Sequence, residues 1–279
     1  MYQKTEIPED RIHRDLPYRD LPAGPAGEKQ RLDLYVPNGK NWPVLVFVHG
    51  GGWDSGDRQY EVAGADIYAN IGRFFAAHGV GTAVISYRLL PDVTWQEQIR
   101  DVAGAVAWVY KNATRYGGDP KRLFLSGHSA GAQLAARVAL DPKPLQDEGL
   151  SKKIVSGVIA VSGAGYQIEG EELRSTRGGR KGYYQRRFQQ DDPTDGWRTE
   201  VSVLRFVDKS APPFLLFYGS AEPTSLIEQS ELLAKRLQDA GVPAKLAVIP
   251  HRDHVQTVMT LSREEDVTAR EALAFIGKK

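Results

Sequence analysis

Residues 127–131 read Gly-His-Ser-Ala-Gly, which is the Gly-x-Ser-x-Gly spacing of a nucleophilic serine, with Ser129 at its centre. An apolar stretch at 122–127 comes before this motif, and a run of small residues at 130–140 comes after it. This context predicts a strand, a very sharp turn and a helix. A serine on such a turn needs neighbours without bulk two positions away on each side, and the helix amino terminus favours negative charge near its hydroxyl. The alternative is a plain strand-to-helix turn that contains two glycines by chance.

A second motif, His-Gly-Gly-Gly-Trp at 49–53, follows a continuous apolar run at 43–49. Three glycines in a row are costly in chain entropy, but they let backbone amides come close to a ligand oxygen. Acyl transfer passes through an oxyanion, and each amide directed at it lowers the barrier by about 3–4 kcal/mol. We therefore predict an oxyanion hole made by the amides of Gly51, Gly52 and Ala130. The alternative is a flexible loop after a core strand.

Side chains beside these two motifs complete the predicted site. Trp53 and His128 are predicted to contact substrate. The alternative for Trp53 is a role in the core alone. His49 is predicted to anchor the glycine loop through its ring rather than to act as a base.

The elements that must position these residues alternate along the chain. Predicted strands lie near 11–18 and at 30–36, 43–49, 81–87, 122–127, 155–162, 213–219 and 244–250. Predicted helices lie at about 61–77, 93–115, 130–140, 225–240 and 263–276. Such alternation predicts βαβ units, a mostly parallel sheet and helices on both faces. Ligands of such sheets bind beyond the carboxyl ends of the strands.

With these motifs in this order, the chain resembles the α/β-hydrolase superfamily, in particular carboxylesterases of the hormone-sensitive-lipase-like group and the related arylformamidases. Residues 87–92, Tyr-Arg-Leu-Leu-Pro-Asp, are similar to a Tyr-Arg-Leu-x-Pro-Glu segment of that group. The likeness runs from about Gln30 to the carboxyl terminus. The helical amino-terminal cap of many hormone-sensitive-lipase-like enzymes is not expected here, because strands begin by residue 31. Compact arylformamidase-like or feruloyl-esterase-like members are the nearer match.

The resemblance implies the order serine, carboxylate, histidine along the chain. Of six histidines, only His251 and His254 follow the last predicted strand; His254 matches the family's base best, and His251 is the reserve. The implied carboxylate follows strand 213–219, where the family has Gly-x-x-Asp and this chain has Gly-Ser-Ala-Glu, so that Glu222 is the predicted acid. The predicted triad is Ser129, Glu222 and His254, and the predicted substitutes for the acid, Glu228 and Asp253, are less favoured.

Residues 164–212 lack the strand and helix alternation, and a stretch this long is typical of a functional insertion. We predict one domain over 1–279 with 164–212 as a lid-like insertion. Basic and aromatic residues are interleaved in it, followed by carboxylates: Arg174, Arg177, Arg180, Lys181, Tyr183, Tyr184, Arg186, Arg187, Phe188, Asp191, Asp192 and Asp195. Taken alone the pattern resembles a nucleic-acid stripe. A solvated lid or an oligomer contact is the favoured interpretation, and cationic or aromatic contacts to substrate are a further hypothesis.

Composition excludes or disfavours several other kinds of function and location for the protein. The 279 residues carry 36 Lys and Arg against 35 Asp and Glu, a net charge of +1 that disfavours nucleic acid as a partner. Cysteine is absent, which excludes disulfides, thiolate metal sites and a cysteine nucleophile. No apolar run approaches the length of about 20 residues that spans a membrane. The polar start shows no signal peptide and predicts a cytoplasmic protein, although a chain whose leader has been removed would look the same.

The sequence thus predicts a serine hydrolase that cleaves small to medium carboxylic esters through an acyl-enzyme. Neither a cofactor nor a metal is predicted. One alternative is hydrolysis of an N-formylated aromatic amine of the N-formylkynurenine type by the same residues. Another, less favoured, is a non-catalytic ligand-binding member of the fold. The oligomeric state stays open, with a homodimer among the alternatives.

Overall fold

The apolar runs of the sequence form the strands of one eight-stranded sheet. The computed structural model describes residues 2–20, 25–62, 64–168, 182–189, 194 and 196–277. The strands are β1 (Ile12–Pro17), β2 (Arg31–Tyr35), β3 (Trp42–Val48), β4 (Gly81–Ile85), β5 (Gly118–His128), β6 (Val155–Val161), β7 (Phe214–Gly219) and β8 (Ala244–Ile249).

The order of the strands across the sheet is β1-β2-β4-β3-β5-β6-β7-β8. The pairs β1–β2 and β2–β4 are antiparallel, and every later pair is parallel. Val48 lies opposite Gly127, which in turn lies opposite Ala160, so that β3, β5 and β6 end together. The loops after these strands therefore meet at one edge of the sheet. The predicted mostly parallel sheet is confirmed.

Helices connect and cover the strands. They are α1 (Pro25–Glu28), α2 (Ile67–Ala77), α3 (Trp95–Tyr116), α4 (Ala130–Leu140), α5 (Pro142–Asp147), α6 (Gln185–Phe188), α7 (Gly196–Val201), α8 (Thr224–Asp239), α9 (His254–Met259) and α10 (Val267–Gly277). Two-residue strands, Glu61–Val62 and Ala65–Asp66, pair with each other before α2. Short 3-10 turns cover Glu9–Arg11, Lys152–Ile154, Leu204–Phe206 and Thr260–Ser262. None of the described helices has the length and apolar character needed to cross a membrane.

The core lies on both faces of the sheet, as the continuous apolar run of β3 predicts. Along β3, Val44, Val46 and Val48 pack into one apolar cluster together with residues of α3, α4 and α8. Leu45 and Phe47 pack into the other, with residues of α2 and α10. Each side chain of this strand is thus buried, which holds its carboxyl end in a fixed position.

Helix boundaries depart from prediction where a cap decides them. The helix predicted from about 61 begins only at Ile67, because the Asp66 carboxylate accepts a hydrogen bond from the Ala69 amide at 3.0 Å. The closing helix begins at Val267 rather than 263. Helix α9 was not predicted. It begins at His254 because the Asp253 carboxylate caps it by accepting from the amides of residues 255 and 256.

Within the predicted insertion, the described residues pack into the core. Phe188 and Trp197 are each 1% exposed and belong to the same apolar cluster as Val44. The described part of this segment is therefore packed against the core and is not wholly solvated. Several of its predicted charges lie outside the described residues: Arg174, Arg177, Arg180, Lys181, Asp191, Asp192 and Asp195.

Candidate active site

Ser129 stands on the sharp turn between β5 and α4. Its backbone has φ 55° and ψ −120°, a conformation that costs a non-glycine residue about 1–3 kcal/mol. The glycines on each side leave the needed room. A Cβ at Gly127 would lie 2.4 Å from the Gly131 carbonyl carbon, and a Cβ at Gly131 would lie 2.2 Å from the Val48 oxygen. The motif therefore has a steric reason in this structure.

Glu222 lies in the turn after β7 with its side chain fully buried. Its Oε1 accepts hydrogen bonds from the Ser162 hydroxyl at 2.5 Å and from the Gly219 amide at 2.7 Å. Its Oε2 lies 3.1 Å from His254 Nδ1. Burial alone would raise the pKa of this carboxyl, but the hydrogen bonds from His254, Ser162 and Gly219 outweigh it and lower the pKa. Glu222 is thus held as a carboxylate facing the imidazole.

His254 is the first residue of α9, and the structure brings it to Glu222. The alternatives point elsewhere. His251 is exposed, and its backbone amide donates to the Ser220 hydroxyl at 2.9 Å. Asp253 is engaged as the helix cap, and Glu228 is exposed on α8. In the neutral ring, the contact with the carboxylate places the hydrogen on Nδ1, so that the lone pair of Nε2 can accept a proton, as a base requires.

The His254 imidazole lies beside the Ser129 turn. Its ring centroid is 4.7 Å from that of His128, the residue before Ser129. Among the described residues, neither the Ser129 hydroxyl nor His254 Nε2 has a hydrogen-bond partner. Both groups are therefore available, and contacts of this kind often tighten only when substrate is bound.

The glycine loop folds back on itself above the Ser129 turn. Gly51 and Gly52 have φ of 117° and 62°, values that favour glycine. The Gly51 carbonyl accepts from the Ser55 amide at 3.0 Å and from the Ser55 hydroxyl at 2.6 Å. No described residue accepts a hydrogen bond from the amides of Gly51, Gly52 or Ala130. These three donors remain free for an oxyanion.

His49 is buried below the loop and serves it as an anchor. Its Nδ1 lies 2.6 Å from the Gly50 carbonyl oxygen, and its ring stacks on Tyr87 with centroids 4.3 Å apart. Burial lowers the pKa of His49 to about 4, so the ring is neutral and donates from Nδ1.

The two predicted substrate contacts are both buried. Trp53 is 1% exposed, donates to Gln133 Oε1 at 3.3 Å and packs on the Phe188 ring. His128 is 5% exposed and uses both ring nitrogens within the protein, on Tyr68 and on the His254 carbonyl. Substrate contact by either residue stays a prediction, and each has a clear packing role.

Three residues at the site were missed from the sequence. Ser162, which donates to Glu222, follows β6 directly, and its place at a strand end was an available signal. Arg187 was predicted only as a candidate cationic contact to substrate, whereas its Nε donates to the Gly52 carbonyl at 2.8 Å. Tyr68 lies in an ordinary amphipathic helix, and no sequence pattern marks its hydroxyl. In the described part of the chain, no group of three or more His, Asp or Glu residues is placed to hold a metal ion.

Known proteins are similar to this chain in sequence and in architecture. A family model described as BD-FAE matches residues 32–237. Esterase LipQ of Mycobacterium tuberculosis is 30% identical over 270 residues, which cover 92% of this chain and 61% of that protein. Isoprenylcysteine alpha-carbonyl methylesterase ICME of Arabidopsis thaliana is 28% identical over 253 residues, 87% of this chain and 56% of that protein. This chain thus spans well under two thirds of both relatives.

A solved structure agrees with the fold. Esterase B from Lactobacillus Rhamnosis superposes with a TM-score of 0.76 at 25% identity, covering 98% of this chain and 87% of that one. The match of the family model covers most of the sheet together with the glycine loop, the Ser129 turn and Glu222. The chain belongs to the BD-FAE family and is an α/β-hydrolase.

Proposed function

We propose that the protein is a serine carboxylesterase that hydrolyses esters of small to medium size. The esterase names of LipQ, ICME and esterase B support this class of reaction. The arrangement of Ser129, Glu222 and His254 supports the same conclusion from the residues themselves.

In the first half of the proposed reaction, the Ser129 hydroxyl attacks the ester carbonyl carbon. His254 Nε2 takes the hydroxyl proton, and Glu222 stabilises the imidazolium that forms. The carbonyl oxygen becomes an oxyanion that accepts hydrogen bonds from the amides of Gly51, Gly52 and Ala130. The carbon–oxygen bond to the alcohol then breaks, and the alcohol leaves with the proton from His254.

In the second half, water attacks the acyl group on Ser129. His254 takes a proton from the water, and the same three amides stabilise the second oxyanion. The bond to Ser129 breaks, the serine oxygen regains its proton from His254, and the carboxylic acid is released.

The observation that carries the proposal is the contact of 3.1 Å between His254 Nδ1 and Glu222 Oε2. The two residues are 32 positions apart, yet the loops after β7 and β8 bring them together beside the Ser129 turn. Burial of a carboxylate is costly unless it is paired and hydrogen-bonded, and His254 provides the pairing for Glu222 here. Its two further donors, Ser162 and Gly219, orient it toward the imidazole.

The substrate test compares p-nitrophenyl esters of increasing acyl length with N-formylkynurenine. We expect measurable kcat/KM for short to medium esters, lower values for long chains, and much lower kcat/KM for the formamide. Faster turnover of the formamide would replace the ester proposal by arylformamidase activity. Ser129→Ala serves as the blank in both assays.

A fluorophosphonate probe separates an enzyme from a ligand-binding relative. We expect rapid labelling of the native protein and none of Ser129→Ala. Failure of the native protein to react with the probe and with every ester would favour the non-catalytic alternative.

Other proposals concern the protein's surroundings. A small-molecule ester or formamide as substrate, with nucleic acid and membrane not expected as partners and a homodimer left open, stays a prediction from the sequence. The location in the cytoplasm and the single domain with 164–212 as a lid-like insertion stay predictions as well. Cell fractionation and size-exclusion chromatography with light scattering test the location and the oligomeric state.

A further inference from the structure

A buried chain of hydrogen bonds runs beneath the candidate site. The Gly50 amide donates to the Tyr68 hydroxyl oxygen at 3.1 Å. The Tyr68 oxygen lies 3.0 Å from His128 Nδ1, and His128 Nε2 lies 3.1 Å from the His254 carbonyl oxygen. Tyr68 is 2% exposed and His128 5% exposed. The chain connects the glycine loop, α2, the Ser129 turn and the start of α9.

The groups at the two ends of this hydrogen-bonded series fix the direction of each hydrogen bond in it. The Gly50 amide can only donate, so the Tyr68 oxygen accepts there and directs its own hydrogen to His128 Nδ1. The His254 carbonyl can only accept, so His128 Nε2 carries a hydrogen. A neutral histidine has one donor and one acceptor, which makes the Nε2–H form of His128 the one that satisfies every partner.

Burial keeps both groups neutral. It lowers the pKa of His128 well below the ordinary value, and a positive charge on His254, when that ring is protonated, lowers it further. Burial also raises the pKa of Tyr68, so its hydroxyl keeps its hydrogen. A charged His128 would present a second hydrogen to Tyr68 and reverse the direction of that hydrogen bond.

Each end of this series of hydrogen bonds lies next to a group that takes part in the proposed mechanism. Gly50 precedes Gly51, so the position of its amide sets where the next two amides point. The His254 carbonyl belongs to the same residue as the base. Packing adds to the constraint, because a Cβ at Gly50 would lie 2.9 Å from His128 Nδ1 and 3.2 Å from Ser129 Cβ.

We propose that Tyr68 and His128 are positioning residues that hold the oxyanion loop and the base in one register through this directed chain of hydrogen bonds. The proposal rests on the proposed function, since it assigns the two residues to the same site. It gives both residues a role in kcat and none in contact with substrate.

Kinetics of single and double variants test the coupling. We expect Tyr68→Phe to lower kcat for p-nitrophenyl acetate about tenfold, with KM changed less than about twofold, since one lost hydrogen bond at a reacting centre is worth about this much. His128→Leu should lower kcat at least as much, while His128→Gln, which keeps a donor for the His254 carbonyl, should recover most of it. In the His128→Leu protein, adding Tyr68→Phe should change kcat little.

The matched control is Tyr60→Phe, which removes a hydroxyl from a ring that stacks on Tyr68 at 5.2 Å and is 37% exposed. Its kcat should equal that of the native protein. Independent, additive losses from Tyr68→Phe and His128→Leu would overturn the proposal, as would a loss expressed in KM alone.

A measurement on the unaltered protein covers variants that fail to fold. Nitrogen-15 NMR of the histidine rings, with the His128 signals assigned through couplings between ring and backbone in the native protein, reports which nitrogen carries the hydrogen. We expect protonated Nε2 and unprotonated Nδ1 at about pH 6 to 8. The opposite tautomer or an imidazolium would overturn the proposal. This readout needs no turnover, so it separates failure of the chain from failure of the proposed esterase activity.

Discussion

The glycine loop is held on two faces by different interactions. On its inner face, neutral and fully buried groups hold Gly50, through Tyr68 and His128. On its outer face, the Arg187 guanidinium donates to the Gly52 carbonyl, pairs with Asp54 and stacks on the Tyr183 ring at 3.9 Å. The side chains of Arg187 and Asp54 are 18% and 39% exposed.

This difference predicts unequal consequences for the two faces. Buried hydrogen bonds are expensive to break, because the partners left behind cannot turn to water. Partly exposed ion pairs contribute little and weaken as salt rises. The inner face should therefore set the catalytic geometry, and the outer face should adjust it.

The largest expected effect comes from the reacting group itself. Ser129→Ala should lower kcat for p-nitrophenyl acetate by about a millionfold, since removal of the nucleophile leaves only binding and the oxyanion donors. Stopped-flow and long-time assays measure the residual rate, with fluorophosphonate reactivity as a second readout. Residual activity above about a hundredth of the native rate would contradict a nucleophilic role.

The buried carboxylate should come next. Glu222→Gln keeps the size of the side chain but removes the charge that stabilises the imidazolium, and kcat should fall about ten-thousandfold. The control is Glu228→Gln on exposed α8, which should retain native kcat. Equal activity of the two variants would remove Glu222 from the proposed triad.

Two adjacent glycines compare packing within the loop with packing at its outer face, through the free energy of unfolding. A Cβ at Gly51 would lie 2.1 Å from the Ser55 carbonyl oxygen, whereas one at Gly52 would meet the end of the Tyr183 side chain at 2.9 Å. Gly51→Ala should therefore lower the free energy of unfolding by about 3 kcal/mol or more, because backbone cannot yield and φ is unfavourable. Gly52→Ala should cost about 1 kcal/mol. Urea unfolding measures both, and the reverse ranking would contradict the comparison.

The outer clamp should have a smaller effect. Arg187→Ala should lower kcat/KM only about two- to threefold, because the partly exposed contact with the Gly52 carbonyl contributes less than a buried hydrogen bond. Raising salt should diminish the difference from the native protein. Arg186→Ala, an exposed neighbour on α6, is the control. A loss as large as that of Tyr68→Phe would mean that the two faces are equivalent.

The last prediction concerns the dependence of stability on pH. The pKa of His128 is lowered by burial in the folded state, whereas the unfolded chain takes up a proton near pH 6.5. The stabilisation is therefore present above about pH 6.5 and is lost as pH falls, by up to about 1.4 kcal/mol per pH unit. His128→Gln should show a correspondingly flatter fall in unfolding free energy between about pH 6 and pH 4.5. Identical slopes would mean that His128 is not buried and neutral.

Sequence patterns were sufficient to predict the strands and the candidate residues that follow directly after them. The unbroken apolar run of β3 and the small residues around Ser129 leave few other structures open. Glu222 was predicted because the family resemblance implies an acid in the turn after strand 213–219, and this turn holds a single carboxylate. The predicted sheet is confirmed, while the roles of Ser129, Glu222 and His254 stay predictions that their juxtaposition supports.

Other features depended on packing between elements that are distant in sequence. The hydroxyl of Tyr68 reaches His128 only because α2 packs against β3 and β4 at one particular rotation. Arg187 reaches Gly52 across 135 positions, from a segment without regular periodicity. Neither contact leaves a local signature, because the same residue types occur on many surfaces.

The most direct test of the account is the site of acylation. Protein mixed with p-nitrophenyl acetate and quenched in acid within the first turnover can be digested and mapped by mass spectrometry. We expect an acetyl group on Ser129 in the native protein, formed far more slowly in Glu222→Gln. An acetyl group on another side chain, or release of product with Ser129 unmodified throughout, would contradict it.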